Sequence, residues 1–321
     1  MNENTSMPPG FRCGYAAIIG QPNVGKSTLM NCLLEQKISI VTRKPQTTRH
    51  KILGVLSTNK AQVIFLDTPG LIKPRYALHE AMMASAASAI ADADVLLLMS
   101  DATRKGFEED SEESRCLQTL GDARKPVFLV LNKVDLVSKL QLLPLIEDWA
   151  RRFHFEEIYP VSALRADGTA ELLQGITGKL PEHPPFYPTD IVSEQNERFF
   201  VAEIIREKVF LLCEEEIPYS TSVEIVEFVE REPVPGDGPA KKEKNPARLK
   251  WFIRADIHVE RESQKGILIG KKGGKLKEIG VLARRDIEKF LVHPVYLDLH
   301  VKVREKWRED EAWLQRQGYK Q

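Results

Sequence analysis

No charge of either sign prevails in this chain of 321 residues: 46 basic side chains stand against 46 acidic ones. A whole-molecule electrostatic pull toward nucleic acid or an anionic surface is therefore excluded, and only local imbalance can point to a partner. Cysteine is sparse as well. Cys13, Cys32, Cys116 and Cys213 lie far apart and make no CxxC pair, which argues against a zinc centre or a disulfide framework and suits a reducing cytoplasm. Long apolar runs are missing, since none approaches the roughly 20 residues of a spanning helix. The opening "MNENTSMPPG" lacks the basic and then apolar order of a secretory signal. Residues 1–12 read as a disordered lead-in. These absences leave the expectation of a soluble, cytoplasmic chain of two domains.

What is present up to residue 180 is alternation. "YAAIIG", "AQVIFLD", "DVLLLMSD", "PVFLVLN" and "IYPVSA" are short, apolar and closed by polar or glycine-bearing turns, the pattern of strands buried on both faces. "KSTLMNCLLEQ", "EEDSEESRCLQTLGD" and "KLQLLPLIEDWARRF" have helical spacing. Together they predict an α/β domain over residues 13–180, a doubly wound parallel sheet of P-loop type. Such sheets bind ligands at the carboxyl ends of their strands, where the informative loops of this sequence begin.

The first loop, Gly20-Gln21-Pro22-Asn23-Val24-Gly25-Lys26-Ser27, fits GxxxxGK[ST], and Thr28 carries it into a helix. Its glycines let backbone N–H groups turn toward phosphate oxygens at a helix N-terminus. Lys26 would neutralise the outer phosphates, and Ser27 would offer its hydroxyl to Mg²⁺. An ordinary glycine turn is the plain alternative, and the strand–loop–helix setting speaks against it. "NKVD", which is Asn132, Lys133, Val134 and Asp135, names the base. A carboxylate at Asp135 can accept from both the ring N–H and the exocyclic amine of guanine, a donor pair that adenine lacks. GTP and GDP are the expected nucleotides, with Ser162, Ala163 and Leu164 giving backbone support to the guanine carbonyl.

"DTPG", from Asp67 through Thr68 and Pro69 to Gly70, closes another strand just before Leu71. Asp67 suits Mg²⁺ through a water, and Gly70 can donate its N–H to the γ-phosphate. Upstream, "RKPQTTRH" is polar and without helical spacing; a threonine there could reach Mg²⁺ while GTP is bound, Thr48 in preference to Thr47. Both loops are candidate switches ordered by the γ-phosphate. Lys26, Thr48 and Gly70 are the candidates for the hydrolytic step. Leu71 stands where Ras-like proteins carry a water-orienting glutamine, and leucine can neither donate nor accept. Slow turnover is expected, and Arg49 reads as a solvated charge rather than a catalytic finger.

The chemistry changes beyond "GKLPEHPPFYPTD", where Pro181, Pro184, Pro185 and Pro188 stiffen a linker over 181–192. "SEQNERFFVAEIIREKVFLLCEEEI" is helical in spacing, "STSVEIVEFVERE" and "ARLKWFIRADIHVERE" alternate as strands do, and the Pro-, Gly- and Lys-rich 233–247 between them reads as a hairpin tip. Gly270-Lys271-Lys272-Gly273 follows "ILI" and precedes a helix whose Leu276, Ile279, Ala283, Ile287 and Phe290 share one face. From 265 to 289 the chain has eight basic and three acidic residues; from 194 to 232 it has four basic and eleven acidic. A GxxG turn lets a nucleic-acid backbone come close, with lysines meeting its phosphates. Ile269, Gly270, Lys271, Lys272, Gly273 and Lys275 are the candidate RNA contacts. In the tail 304–321, Trp307 and Trp313 read as packing anchors of a short helix.

"GQPNVGKST", "PQTTR", "DTPGL", "NKVD" and "SAL" resemble the signature motifs of the translation-factor-related bacterial GTPases, and the "PQTTR" form resembles the Era family of ribosome-assembly GTPases. The order helix–strand–strand–helix–GxxG–helix–strand over 193–303 is similar to the bacterial type of KH domain, an α+β fold. The resemblance implies that Gly20 through Ser27 contact phosphates, that Ser27 and Thr48 ligate Mg²⁺, and that Asn132 and Asp135 hold guanine. It implies a backbone-positioned attacking water, with K⁺ near Asn23 as a further charge. It also implies association with the small ribosomal subunit and with single-stranded sequence near the end of its RNA. A monomer is expected. A constitutive RNA-binding protein with a structural nucleotide site is the alternative, and peripheral membrane contact is kept open.

Overall fold

The computed structural model describes residues 10–104, 112–230 and 250–320. They form two compact units, one running to Glu194 and joined by residues 318–320, the other from Gln195 to Gln317. The first unit runs β1 (Arg12–Gly20), α1 (Lys26–Leu33), β2 (Ile52–Ser57), β3 (Ala61–Asp67), α2 (Ala77–Asp92), β4 (Val95–Asp101), α3 (Glu112–Asp122), β5 (Val127–Asn132), α4 (Lys139–Arg152), β6 (Glu157–Val161) and α5 (Thr169–Lys179). Its strands lie in the order β2-β3-β1-β4-β5-β6. β1 is parallel to both neighbours, and Ala16 to Ile19 are closed to solvent. An unbroken apolar run of this kind demands cover on both faces. On one face Ile64, Leu66, Leu98 and Leu129 meet Trp149 of α4. The chain winds to one side of β1 through β3 and to the other through β4, so the carboxyl end of β1 is a topological switch point.

The sheet departs from the expected all-parallel winding. β2 runs antiparallel to β3, as the first arm of a hairpin in which Thr58 N–H and hydroxyl both donate to Ala61 O. α2 carries no expectation from the sequence, because "ALHEAMMASAASAIAD" is so rich in small residues that its faces differ little. Alanine is nonetheless the best helix former, and Leu78, Met82, Ala86 and Ala89 bury one side. Order also reaches into the expected lead-in: residues 1–9 lie outside the described part, but Phe11 is buried and β1 starts at Arg12. The stretch 181–192 is strapped to the first unit rather than spanning free space. Cys13 N–H donates to Pro181 O at 3.0 Å, Gln62 Nε2 to Tyr187 O at 2.8 Å, and Val55 N–H to Val192 O at 2.8 Å.

The second unit runs α6 (Glu197–Leu212), β7 (Ser222–Val229), β8 (Trp251–Val259), α7 (Glu262–Ile269), α8 (Gly274–Leu291), β9 (Val295–Val303) and α9 (Glu311–Arg316). β8 pairs antiparallel with β7 and parallel with β9. Alternate residues Ile253, Ala255, Ile257 and Val259 turn inward against Ile279, Ala283 and Ile287 of α8, the period-two and period-3.6 patterns meeting in one core. The expected hairpin tip 233–247 lies outside the described residues. Past β9, Trp307 is fully buried with its Nε1–H donating to Ser220 O at 2.8 Å, and Asp310 caps α9 by accepting from Trp313 N–H. The acidic surplus of 194–232 is only partly solvated: Glu203 and Glu207 are buried and paired with Arg206 and Lys208.

Candidate nucleotide site and nucleic-acid interface

The loop after β1 closes around Gly25, whose φ of 103° lies in the left-handed region; a Cβ there would stand 2.3 Å from Asn132 Nδ2. Lys26, at the start of α1, is buried, and its Nζ donates to Gly20 O at 3.0 Å and Gln21 O at 2.9 Å. Burial pushes its pKa down to about 8, against the opposing pull of Asp67. An ammonium desolvated to this degree is stabilised by a nearby anion.

One turn into the site, Ser27 Oγ donates to Asp67 Oδ2 at 2.7 Å and stands 2.8 Å from Thr48 Oγ1. Thr47 Oγ1 instead bonds Lys44 O and Thr42 Oγ1. Asp67 is completely buried, and burial raises its pKa while Lys26, Ser27 and Ser39 draw it back. Its Oδ1 is buried and has no hydrogen-bond partner. A hydroxyl pair beside an orphaned carboxylate oxygen is the oxygen-rich donor set that Mg²⁺ takes, with waters completing its shell. These residues therefore fit the metal implied by a phosphate loop.

At the far end Asn132 works as a strut: Nδ2 donates to Val24 O at 2.8 Å, and Oδ1 accepts from Ala163 N–H at 2.9 Å. It ties the phosphate loop to the "SAL" turn. Lys133 Nζ pairs with Asp101 Oδ2 at 2.6 Å. Burial works to raise the Asp101 carboxyl, but hydrogen bonds from Lys133 and Thr103 outweigh it and hold the pKa below the usual range. Asp135 carries a longer pair to Arg165 at 3.6 Å.

One cavity of 460 Å³ joins the two ends, within the range of small-ligand sites. Lys26, Ser27, Thr28 and Thr48 line one end, and Asn132, Lys133, Asp135, Ser162 and Leu164 the other; Pro22, Asn23, Gly25 and Gly70 lie along it. Gly20, Gln21, Val24, Asp67, Thr68, Pro69, Leu71, Val134 and Ala163 are not among the lining residues. Arg43 and Gln46 of the expected switch "RKPQTTRH" line the cavity too; sequence reasoning missed Ile40, Val41, Thr42 and Leu136, which also line it. Adjacency to "PQTTR" was the one signal for most of them, since a loop without a period offers no pattern to read.

"DTPGL" is docked on the phosphate loop. A Cβ on Gly70 would come within 2.8 Å of Pro22 N, and Leu71 N–H donates to Gly20 O at 3.2 Å. The Leu71 side chain packs against the core, away from any role in orienting water. Asn23 Nδ2 donates to Arg43 O at 2.9 Å, linking the phosphate loop to the segment before "PQTTR".

In the second unit the turn between α7 and α8 has Gly270 and Gly273 at φ 73° and 74°, with Lys272 between them at 52°. Lys271 and Lys272 are exposed. Lys275 is not free to follow them: its Nζ donates to Leu212 O at 3.0 Å, capping the end of α6. Ile269 packs against the core. Beside the turn a groove of 390 Å³ runs between α8 and β9, floored by Leu276, Leu297 and Leu299 and flanked by Lys277, Val281 and Arg284. In the preceding "ILI", Leu268 is buried in the core while Ile267 is exposed.

Residues 15–133 match the family model described as "50S ribosome-binding GTPase", and residues 240–308 match "KH domain". The GTPase Era of Geobacter metallireducens is 46% identical over 309 residues, covering 96% of this chain and 98% of its own. The chloroplastic GTPase ERA1 of Zea mays is 44% identical, covering 98% of this chain and 72% of its own. Two solved structures, each 40% identical and covering 97% of this chain and all of theirs, superpose closely. One is a variant of Aquifex aeolicus Era bound to GDP·AlF4⁻, with a TM-score of 0.87. The other is an Era in complex with MgGDPNP and nucleotides 1506–1542 of 16S ribosomal RNA, with a TM-score of 0.88.

Proposed function

This chain belongs to the Era family of GTPases, and from that premise we propose that it binds and hydrolyses GTP in the cavity between Lys26 and Asp135, holds single-stranded small-subunit ribosomal RNA at its GxxG turn, and assists small-subunit assembly. The observation that carries the reading is a single cavity with a desolvated ammonium and a hydroxyl pair at one end and the Asp135 carboxylate at the other. Lys26 would hold the outer phosphates; Ser27 and Thr48 would hold Mg²⁺, with Asp67 reached through water. When bound, Mg²⁺ supplies positive charge that offsets the charge developing on the transferred phosphoryl group. Gly70 N–H is the candidate donor to the γ-phosphate. Leu71 offers no side-chain hydrogen bond to a water, so turnover without a partner is slow. The same residue favours the second reading, an RNA-binding protein whose nucleotide site is mainly structural; turnover near zero with ribosomal RNA present would support it.

For the RNA, the exposed Lys271 and Lys272 meet phosphates while the apolar groove floor takes bases. The family model on the first unit names the 50S ribosome, whereas the RNA-bound relative holds nucleotides 1506–1542 of 16S ribosomal RNA. The latter spans both units of this chain, so small-subunit RNA is the reading preferred here. Crosslinking in cells followed by sequencing of bound RNA tests it. Footprints confined to the end of small-subunit RNA are expected, and footprints on large-subunit RNA overturn it. Potassium near Asn23 is part of the proposal for hydrolysis; equal turnover in sodium and potassium buffers removes it. We place the chain in the cytoplasm as a monomer, with lipid co-sedimentation deciding on peripheral membrane contact. Among the described residues no helix is long and apolar enough to cross a membrane.

A further inference from the structure

We propose that Ser39 is a positioning residue for the metal-side carboxylate: held in place by Asn31, it fixes Asp67 so that one carboxylate oxygen is left for the hydration shell of Mg²⁺. The inference rests on the reading of this site as one for Mg²⁺ and guanine nucleotide. Ser39 lies outside every motif of the sequence, in the loop after α1, yet it is 1% exposed. Its Oγ donates to Asp67 Oδ2 at 3.0 Å, the same oxygen that accepts from Ser27 Oγ at 2.7 Å. Two donors on Oδ2 and none on Oδ1 make the carboxylate asymmetric. With one donor it could pivot about the remaining bond; with two, its plane is fixed.

Ser39 is itself clamped. Asn31 Oδ1 accepts from Ile38 N–H at 3.0 Å and Ser39 N–H at 2.9 Å, and Asn31 Nδ2 donates to Ser39 O at 2.7 Å. Asn31 stands four residues after Ser27 on α1, one helical turn on. The phosphate-loop helix therefore holds Asp67 twice, directly through Ser27 and indirectly through Asn31 and Ser39. Groups that orient metal ligands from the next layer typically cost 10- to 100-fold in metal affinity when removed.

The test uses the full chain loaded with mant-GDP, with release of the fluorophore followed as Mg²⁺ is titrated. Ser39→Ala is expected to raise the Mg²⁺ concentration for half-maximal retention about tenfold. Its mant-GDP affinity in excess EDTA should match the wild type. Asn31→Ala, which keeps the hydroxyl but loosens the segment that carries it, should shift the Mg²⁺ titration in the same direction by less, and it carries the test if Ser39→Ala does not fold. A Mg²⁺ titration identical to wild type overturns the proposal. So does an equal loss with and without Mg²⁺, which marks Ser39 as merely structural. A wild-type chain that retains mant-GDP equally at all Mg²⁺ concentrations sinks instead the underlying reading of the metal site.

Discussion

At the scale of single residues, the nucleotide site is a contest between burial and pairing. Lys26 and Asp67 are both desolvated by burial, and each stabilises the other's charge. Asp135 differs, since Arg165 at 3.6 Å is a loose and exposed partner that a base can displace. Asp135 is thus the group whose contribution should depend on what is bound. Asp135→Asn keeps the volume and loses the charge, and a hydrogen bond to a charged group contributes about 1.5–3 kcal/mol. Guanine-nucleotide affinity is expected to fall by roughly 10- to 150-fold, with little change in adenine-nucleotide binding, as competition of GDP and ADP against a fluorescent analogue would measure. An equal loss for both nucleotides would show that Asp135 supports the fold rather than reading the base.

At the scale of elements, the tail and the sheet of the second unit depend on one another. His258 on β8 faces Glu224 of β7 at 3.1 Å, lies near Asp256 and Lys302, and packs edge-on to Trp313 of α9. Burial lowers its pKa below the ordinary histidine value, although Glu224 and Asp256 work the other way. Between the depressed folded value and the unfolded value of about 6.5 the unfolded chain binds the extra proton. Stability is therefore lost as pH falls through that window. Melting curves from pH 7.5 to 5 should show a steeper acid loss for the wild type than for His258→Gln, and parallel curves would exclude His258 as the cause. The elements also explain what could be read in advance. β1, β3, β4 and β5 were legible because their apolar runs are unbroken, and α8 because Ile279, Ala283 and Ile287 recur at helical spacing. α2 was not, because alanine gives no contrast between faces. The groove between α8 and β9 was not, because Leu276 serves both the core and the groove floor, and no sequence period separates those two duties. Ser39 was illegible for another reason: its partner Asp67 lies 28 residues away, and only the hairpin β2–β3 brings the chain back.

At the scale of the whole molecule, the two units carry separate ligands, and joining them in one chain does not itself create communication. Coupling requires that RNA affinity differ between nucleotide states, and linkage then requires RNA to shift nucleotide preference by the same factor. A tenfold difference corresponds to about 1.4 kcal/mol, within the usual 1–3 kcal/mol of allosteric coupling. We expect a single-stranded oligonucleotide from the end of small-subunit RNA to bind about tenfold more tightly when a non-hydrolysable GTP analogue replaces GDP. Anisotropy titrations measure the first leg, and displacement of mant-GDP by the analogue with and without RNA measures the second. The two factors must agree. If both are unity, Lys26 and Lys271 belong to independent modules, and the nucleotide acts on something other than the RNA held at the GxxG turn. If RNA affinity changes while nucleotide preference does not, the cycle is open, and a third component such as Mg²⁺ or a second RNA segment is bound in one leg only.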